Sequence, residues 1–192
     1  MSSSARSIMS LQLVDELKYF LTLPVANKSV LKEYKYRINQ GKFTQSENEQ
    51  SHFCAYFAAI DPDLKGIFIG HHKKSGLWLF NGGHINHGEN LSQTLNREMD
   101  EEWGFHIILP RIIEPSLLTI THINNHPQLC KTHWDIWFFM NFNKKKFKPK
   151  EKRLKTEFSK TQWTNLENAS NLVKDPATIE AMNYLNRQVF NK

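Results

Sequence analysis

The sequence predicts an α/β fold in which a mixed β-sheet is covered by helices. Short apolar runs of strand length fill the middle of the chain, and segments with helical periodicity lie before, between and after them. The length of 192 residues suits a single domain with a short extension. Hydrophobic residues make up 40% of the chain, which is enough to build a core.

The first forty residues are predicted to form two helices. The first has a serine suited to an N-cap and leucines and a valine at helical spacing: Ser10, Leu11, Val14, Leu17, Leu21. Pro24 ends it, and a second helix is predicted over residues 28–38. The polar residues 40–51 are interpreted as a linker. We therefore expect a helical N-terminal extension, residues 1–45, and a main domain, residues 46–192.

The middle of the chain is predicted to form strands. Residues 53–60 and 66–70 read as a hairpin around a turn at Asp61-Pro62-Asp63. A third strand, residues 77–80, is expected to stop at Gly82-Gly83, and two more are predicted over 117–123 and 134–142. On the last of these, Trp134 and Trp137 are three residues apart, so they are expected to face opposite sides, both within the core.

Two further helices complete the expected fold. One spans residues 90–102, and another spans 177–190 with Pro176 in its first turn. Between the last strand of the middle region and the final helix lies a basic run, residues 144–155, which contains Pro149 and is interpreted as a solvated hairpin loop.

Charge and composition exclude several classes of protein. The net charge is +6, but residues 144–155 hold eight basic residues and one acid, and the rest of the chain has 17 basic and 18 acidic residues. The basicity is therefore local and does not indicate a nucleic-acid-binding surface over the whole molecule. No apolar run is long enough to cross a bilayer, and the N-terminus is a poor secretory signal. Two cysteines make no disulfide framework, which favours a reduced, cytoplasmic setting.

Three carboxylates on the predicted helix 90–102 indicate a metal site. Glu98, Glu101 and Glu102 fall at i, i+3 and i+4, so they share one helix face and repel one another. Magnesium prefers oxygen ligands and would remove this repulsion. An apolar stripe of Leu91, Leu95, Met99 and Trp103 would hold the acids in place, and Gly104 is suited to end the helix. The alternative reading of an acidic patch alone is a solvated helix face.

The spacing around these acids is specific. Residues 83–105 place a glycine, a glutamate, an Arg-Glu pair, a Glu-Glu pair, a second glycine and an apolar residue at fixed distances. These positions are filled by Gly83, Glu89, Arg97, Glu98, Met99, Glu101, Glu102, Gly104 and Phe105. This 23-residue pattern is the Nudix box, and the chain resembles the Nudix hydrolase family. The context His71-His72-Lys73-Lys74 is similar to an unassigned bacterial branch of it.

The resemblance implies a fold and a role for each residue of the box. The main domain would be a Nudix-like α/β/α sandwich. Glu98, Glu101 and Glu102 would be metal carboxylates with catalytic roles, and the Gly83 carbonyl would complete the shell. Arg97 would pair with Glu89 as structural support of the site. His84 and His133 would lie nearest to it as substrate-binding residues. The metal would be Mg²⁺, with Mn²⁺ as a substitute.

The activity implied by the resemblance is hydrolysis of a diphosphate linkage in a nucleoside diphosphate derivative, a small-molecule substrate. The general base is either a box glutamate or Glu157 on a later loop, just before residues 161–163, which are similar to the family's late strand. The alternative reading of Glu157 is an ordinary surface glutamate. Which of many diphosphates is the substrate is left open, and the N-terminal extension could serve a homodimer.

Two alternative functions stay open. RNA 5′-end pyrophosphohydrolysis would need the basic run to face the site, and a non-catalytic nucleotide-binding regulatory module would keep the fold without the activity. A zinc site made by His122, His126, His133 and Asp135 is also conceivable from composition. However, His122 and His126 flank a loop, which is poor ligand geometry, so polar pocket-lining residues are the preferred interpretation.

Overall fold

The computed structural model describes residues 13–110, 113–123 and 129–191, and it confirms a mixed sheet flanked by helices. Residues 13–20 form the helix α1, of which the predicted Ser10 cap and Leu11 lie outside the described residues. The other helices are α2 (Lys28–Asn39), α3 (Leu91–Trp103), α4 (Glu151–Glu157), α5 (Leu166–Leu172) and α6 (Pro176–Leu185), which continues into a π-helical turn, Asn186–Phe190.

Seven strands of the described residues form one sheet: β1 (Ser51–Asp61), β2 (Gly66–His72), β3 (Trp78–Leu79), β4 (Asn81–His84), β5 (Leu117–His122), β6 (Thr132–Asn141) and β7 (Phe158–Asn165). The long strand β1 lies at its centre. On one side β1 pairs with β6 in parallel, and β6 pairs with β5 antiparallel. On the other side β1 pairs with β4 and, at its last two residues, with β2. Strand β2 also pairs with β3 and β7.

The two faces of β1 belong to different parts of the core. Phe53 and Phe57 point to the face where α1, α2 and α3 pack, whereas Ala58 and Ile60 point to the face covered by α6. Trp134 and Trp137 are buried on these opposite faces, as their spacing predicted. No helix in the described ranges is long and apolar enough to cross a membrane.

The polar residues 40–51 are not a free linker, although they form no helix or regular strand before Ser51. Phe43 and Thr44 are buried, and the Arg37 guanidinium donates to the carbonyl oxygens of Gly41 and Lys42 at 2.7 Å each and of Ser51 at 2.6 Å. This buried arginine fixes the connection from α2 to β1. The extension therefore packs onto the sheet as part of one core.

Two of the expectations about elements are wrong. Gly82 and Gly83 do not stop a strand but lie inside β4, where they pair with Tyr56 and Ala55. The second half of the basic run is not a loop, because residues 151–157 form α4 with Leu154 buried. Its first half is a turn anchored by the buried Phe147. Helix α5 is not predicted from the sequence, because its seven residues are too few to show helical periodicity.

Candidate active site

Helix α3 carries the predicted carboxylates, and local interactions fix both of its ends. The Asn90 side chain accepts from the Gln93 N–H at 2.9 Å, and the Gln93 side chain accepts from the Asn90 N–H at 3.0 Å, which makes a capping box. Gly104 ends the helix in the left-handed region with φ 68°. The predicted apolar stripe is buried: Leu91, Leu95, Met99 and Trp103. The helix is therefore held rigidly against the sheet.

Two of the three glutamates predicted to bind the metal point into the protein beside β4. Glu98 is 8% exposed and Glu102 is 4% exposed, whereas the side chain of Glu101 is 54% exposed and lies at the outer rim. The Glu102 carboxylate accepts from the Asn81 amide and, at 3.3 Å, from the Gly82 N–H. Strand β4 thus holds one face of the carboxylate cluster.

Gly83 is pressed against Glu98. A Cβ at this position would overlap the Glu98 carboxylate, so only glycine allows the strand and the carboxylate to approach so closely. Pairing of Gly83 with Ala55 on β1 fixes the strand at this point. The backbone of Gly83 and the two buried carboxylates therefore converge from two elements that are packed on the same core.

Arg97 connects the box loop to the carboxylates. Its Nε and one terminal nitrogen reach the two oxygens of Glu89 at 2.8 and 3.0 Å, which is a two-pronged ion pair. The same guanidinium lies 2.6 Å from Glu98 Oε1 and 3.3 Å from Glu101 Oε2, and it donates to the His84 carbonyl at 3.0 Å. The predicted Arg97–Glu89 pair is present, and its supporting role for the site stays a prediction.

The buried carboxylates lie in an electrostatically unfavourable place. Burial, and then the neighbouring Glu98 and Glu157 charges, raise the pKa of Glu102 well above its ordinary value, despite the Asn81 amide. Burial also raises the pKa of Glu98, although Arg97 opposes the shift. Buried carboxylates that lie close together and have raised pKa values are typical of a cation-binding site.

Glu157 lies at the end of α4, close enough to interact with the charges of both Glu98 and Glu102. Its Oε2 lies 3.4 Å from His72 Nε2, and its side chain is 49% exposed. Glu157 is therefore within electrostatic range of the box carboxylates, and its role as the general base stays a prediction. It lies on a helix end instead of a loop.

The donor set fits a hard divalent cation. Mg²⁺ prefers oxygen ligands. The site offers oxygen atoms from two buried carboxylates and one exposed carboxylate, which lie beside a backbone position where a side chain has no room. Glu98, Glu101, Glu102 and the Gly83 carbonyl are the residues that would hold it.

The predicted histidines lie on the other face of β4. His84 pairs with Cys54 in the sheet register, and His133 pairs with His52, so the four side chains come together. His52 and Cys54 are fully buried, whereas His84 and His133 are partly exposed. Burial, and then the repulsion that a protonated ring would meet from neighbouring imidazoles, lower the pKa of His84 to about 4 and that of His133 to about 3. Both rings are therefore neutral at physiological pH.

His52 and Cys54 are not among the site residues predicted from the sequence. The signal that could have found them is their alternation on a strand, which places both side chains on one face. The zinc set considered from composition is not formed by the residues that the structure describes. His122 pairs with Thr132, one position away from His133 and on the opposite face, and Asp135 accepts hydrogen bonds from Thr119 and Thr121. His126 lies outside the described residues.

A cavity of about 860 Å³ lies between the α1–α2 connection, β5 and α6. Val25, His122, Tyr184 and Arg187 are among its lining residues, and none of the box glutamates is. Volume alone therefore does not identify the chemical site, which rests on the residues of α3 and β4.

Comparisons with known proteins identify the family and the fold. The family model of the NUDIX domain matches residues 57–185. No curated protein is similar enough in sequence to match the chain. Among solved structures, the chain is similar to the dihydroneopterin triphosphate pyrophosphohydrolase of E. coli, with a TM-score of 0.51 and 15% identity over 73% of this chain and 96% of that one.

Two further structures have the same fold. The MutT protein of Methanosarcina mazei Go1 matches with a TM-score of 0.53 and 17% identity, over 72% of this chain and 97% of that one. The NUDIX domain of Shewanella oneidensis NrtR, solved with ADP ribose, matches with a TM-score of 0.52 and 14% identity, over 71% and 86%. With the family model covering about two thirds of its length, the chain belongs to the Nudix family.

Proposed function

We propose that this protein hydrolyses a diphosphate linkage in a nucleoside diphosphate derivative and that it uses Mg²⁺ held by Gly83, Glu98, Glu101 and Glu102. The observation that carries the proposal is the convergence of the buried Glu98 and Glu102 carboxylates on a strand position where a side chain has no room. The family also supports it, because solved relatives of this fold include a pyrophosphohydrolase of dihydroneopterin triphosphate and a domain that binds ADP ribose.

Different residues of the chain have different roles in the proposed hydrolysis. In the reaction, the oxygen of water bonds to a phosphorus, the bond from that phosphorus to the bridging oxygen breaks, and a carboxylate accepts the proton of the water. When bound, Mg²⁺ would acidify this water and neutralise the phosphate oxygens. Arg97 positions Glu98 and Glu101 through its contacts of 2.6 and 3.3 Å and ties them to Glu89.

Glu157 is the proposed general base. It lies within electrostatic range of Glu98 and Glu102, and it has solvent on one side, so it can exchange its proton with bulk water. His72, with its Nε2 at 3.4 Å, would hold the carboxylate in place. His84 and His133 are proposed to serve substrate binding from the other face of β4.

A specific observation keeps RNA 5′-end pyrophosphohydrolysis as the second candidate. The basic run lies beside the box helix, because the Lys150 N–H donates to the Trp103 carbonyl at 2.8 Å and Arg153 lies 3.7 Å from Asp100. The exposed lysines of α4 and the preceding turn are therefore close to the end of α3. The backbone phosphates of an RNA extend further than those of a free nucleotide, and these positively charged lysines would attract them.

A substrate panel tests the proposal. The panel would contain nucleoside diphosphate sugars, dinucleoside polyphosphates, nucleoside triphosphates and a 5′-triphosphate RNA, each with Mg²⁺ and with a chelator. Turnover of a small nucleotide that stops with the chelator is the expected result. Turnover of the RNA alone would establish the second candidate. Binding of nucleotides without turnover of any substrate would contradict both and leave a regulatory binding module.

A further inference from the structure

A cluster of three imidazoles and a thiol lies behind β4, on the face opposite the box glutamates. One ligand atom from each of His52, Cys54, His84 and His133 lies within 4.8 Å of all the others. Sheet register makes this cluster: His52 and His133 are neighbours on the parallel pair β1 and β6, and Cys54 and His84 are neighbours on β1 and β4. Three separate strands are thus needed to form it.

The distances suit a tetrahedral metal ion. The Nε2 atoms of His84 and His133 are 3.4 Å apart. Two imidazole nitrogens at the usual zinc–nitrogen distance of about 2.0–2.1 Å, seen at a tetrahedral angle, are separated by about 3.3 Å. The ring centroid of His52 lies 4.6 Å from that of His84 and 5.1 Å from that of His133, so the three rings are mutual neighbours.

Hydrogen bonds orient two of the rings for this purpose. His52 Nδ1 lies 3.0 Å from the Asn48 carbonyl, to which it donates, so its Nε2 is the nitrogen that can accept a proton or bind an ion. His133 Nδ1 lies 3.2 Å from the Tyr56 hydroxyl, which leaves its Nε2 directed at His84. Metal-binding histidines have this arrangement, in which one nitrogen binds a protein group and the other binds the ion.

The polar contacts inside the cluster are long. The facing Nε2 atoms of His84 and His133 are 3.4 Å apart, and only one of them can donate to the other. His52 Nε2 has the Cys130 thiol at 3.6 Å, a weak partner. A cation at the centre would bind the three nitrogens and the sulfur together.

We propose that His52, Cys54, His84 and His133 form a zinc-class metal site, separate from the magnesium site of the box. Nitrogen and thiolate ligands suit borderline-soft divalent ions, whereas the carboxylates on α3 suit hard ions. The buried His52 and Cys54 form the floor, and the partly exposed His84 and His133 form the opening through which the ion enters. Any contribution of these two histidines to substrate binding is then made by the cation they hold.

The site has a structural consequence for the box. His84 is the neighbour of Gly83 on β4, and the ion would fasten that strand to β1 and β6 at this position. The metal would therefore fix the strand against which the Glu98 carboxylate is packed. Its presence does not depend on the proposed hydrolase activity.

The test is zinc and cobalt binding by the full chain, purified without a histidine tag. Excess Mg²⁺ is present so that the box carboxylates do not bind the added zinc or cobalt. One zinc per chain is expected, measured by mass spectrometry of metals and by competition with a chromophoric chelator. His84→Ala and His133→Ala should each weaken binding by more than about 100-fold, since loss of even an outer-shell partner costs about 10–100-fold. His106→Ala, at an exposed histidine, is the matched control and should bind normally.

Cobalt substitution identifies the sulfur, and its first result comes from the native chain. The native chain should show a thiolate-to-cobalt absorption band, and Cys54→Ser should lose it while Glu102→Gln keeps it. Absence of zinc binding by the native chain would overturn the proposal, as would equal binding by the histidine variants and the control. Binding without the thiolate band would overturn the assignment of Cys54 as the fourth ligand.

Discussion

Gly83 is the residue at which strand and helix come closest in the candidate site. Its pairing with Ala55 holds the backbone in the sheet, and the Glu98 carboxylate fills the space that a side chain would need. A change here therefore displaces a proposed metal ligand without removing any charged group.

Gly83→Ala is expected to lower kcat/KM by about 100-fold, because a misplacement of about 1 Å near reacting groups has effects of that size. Gly66→Ala is the matched control, since Gly66 also lies in a strand and a Cβ there meets Trp163 at an ordinary 3.5 Å. Steady-state kinetics with a thermal melt of each variant makes the comparison. Equal loss of activity in both variants would show that the tight approach to Glu98 has no special role.

Glu157 can be separated from its neighbours on α4. Glu157→Gln should lower kcat by about 10²–10⁴-fold, the usual contribution of a general base, with KM little changed. Glu151→Gln, on the same helix and exposed, should have no effect. A kcat that is unchanged in Glu157→Gln would leave a box glutamate as the base.

At the scale of elements, α2 is attached to the sheet by a buried tyrosine. The Tyr34 hydroxyl lies 2.9 Å from the Thr119 carbonyl and 2.7 Å from the Asp135 carbonyl, and its ring packs edge-on against Phe53 and Trp134. The hydroxyl therefore connects the extension to the β5–β6 pair from inside the protein.

Tyr34→Phe is expected to lower the free energy of unfolding by about 1–3 kcal/mol, because it leaves two buried carbonyl groups without this partner. Tyr36→Phe is the control, since Tyr36 lies on the same helix and is 70% exposed. Chemical denaturation of both variants gives the difference. If the free energy of unfolding falls by the same amount in both variants, the buried hydroxyl does not anchor α2.

The sequence predicts those elements whose interactions are local. The capping residue Asn90, the buried stripe of α3 and the left-handed Gly104 all lie within one helix, so their spacing is visible in the sequence. Asp175 and Pro176 mark the start of α6 in the same way. The Nudix box likewise lies within 23 consecutive residues, which is why its roles could be assigned position by position.

The rest depends on contacts between distant residues. Gly82 and Gly83 look like a break in the sequence and become a strand only because β1 pairs with them. His52 and Cys54 gain a possible function only when the register places His84 and His133 beside them. Spacing along the chain contains no information on such register, so the cluster was not predictable as a set.

At the scale of the whole molecule, the N-terminal helices and the sheet share one core. Leu17, Phe20, Tyr34 and Ile38 are buried in the same cluster as Phe53. The division into an extension of residues 1–45 and a domain of residues 46–192 stays a prediction, and the described residues on both sides of it pack into this cluster. The family model begins at residue 57 and does not include the extension.

Heat denaturation is expected to show one cooperative transition, because the two parts expose apolar surface when separated. Deletion of residues 1–45 should lower the midpoint sharply or yield aggregated protein. Calorimetry gives the number of transitions of the full chain and the midpoint temperatures of the full chain and the fragment. A fragment of residues 46–192 that melts at the midpoint of the full chain would mean that the extension folds independently of the domain.

The most direct test of the proposed activity compares two glutamate-to-glutamine variants with the native protein. On a substrate from the panel, Glu102→Gln should lose nearly all Mg²⁺-dependent turnover, because it removes a buried carboxylate that lies against Asn81 and Gly82. Glu167→Gln, in the exposed part of α5, should retain the native rate. Native turnover by folded Glu102→Gln, with the same dependence on Mg²⁺, would contradict the assignment of the box carboxylates as the catalytic metal site.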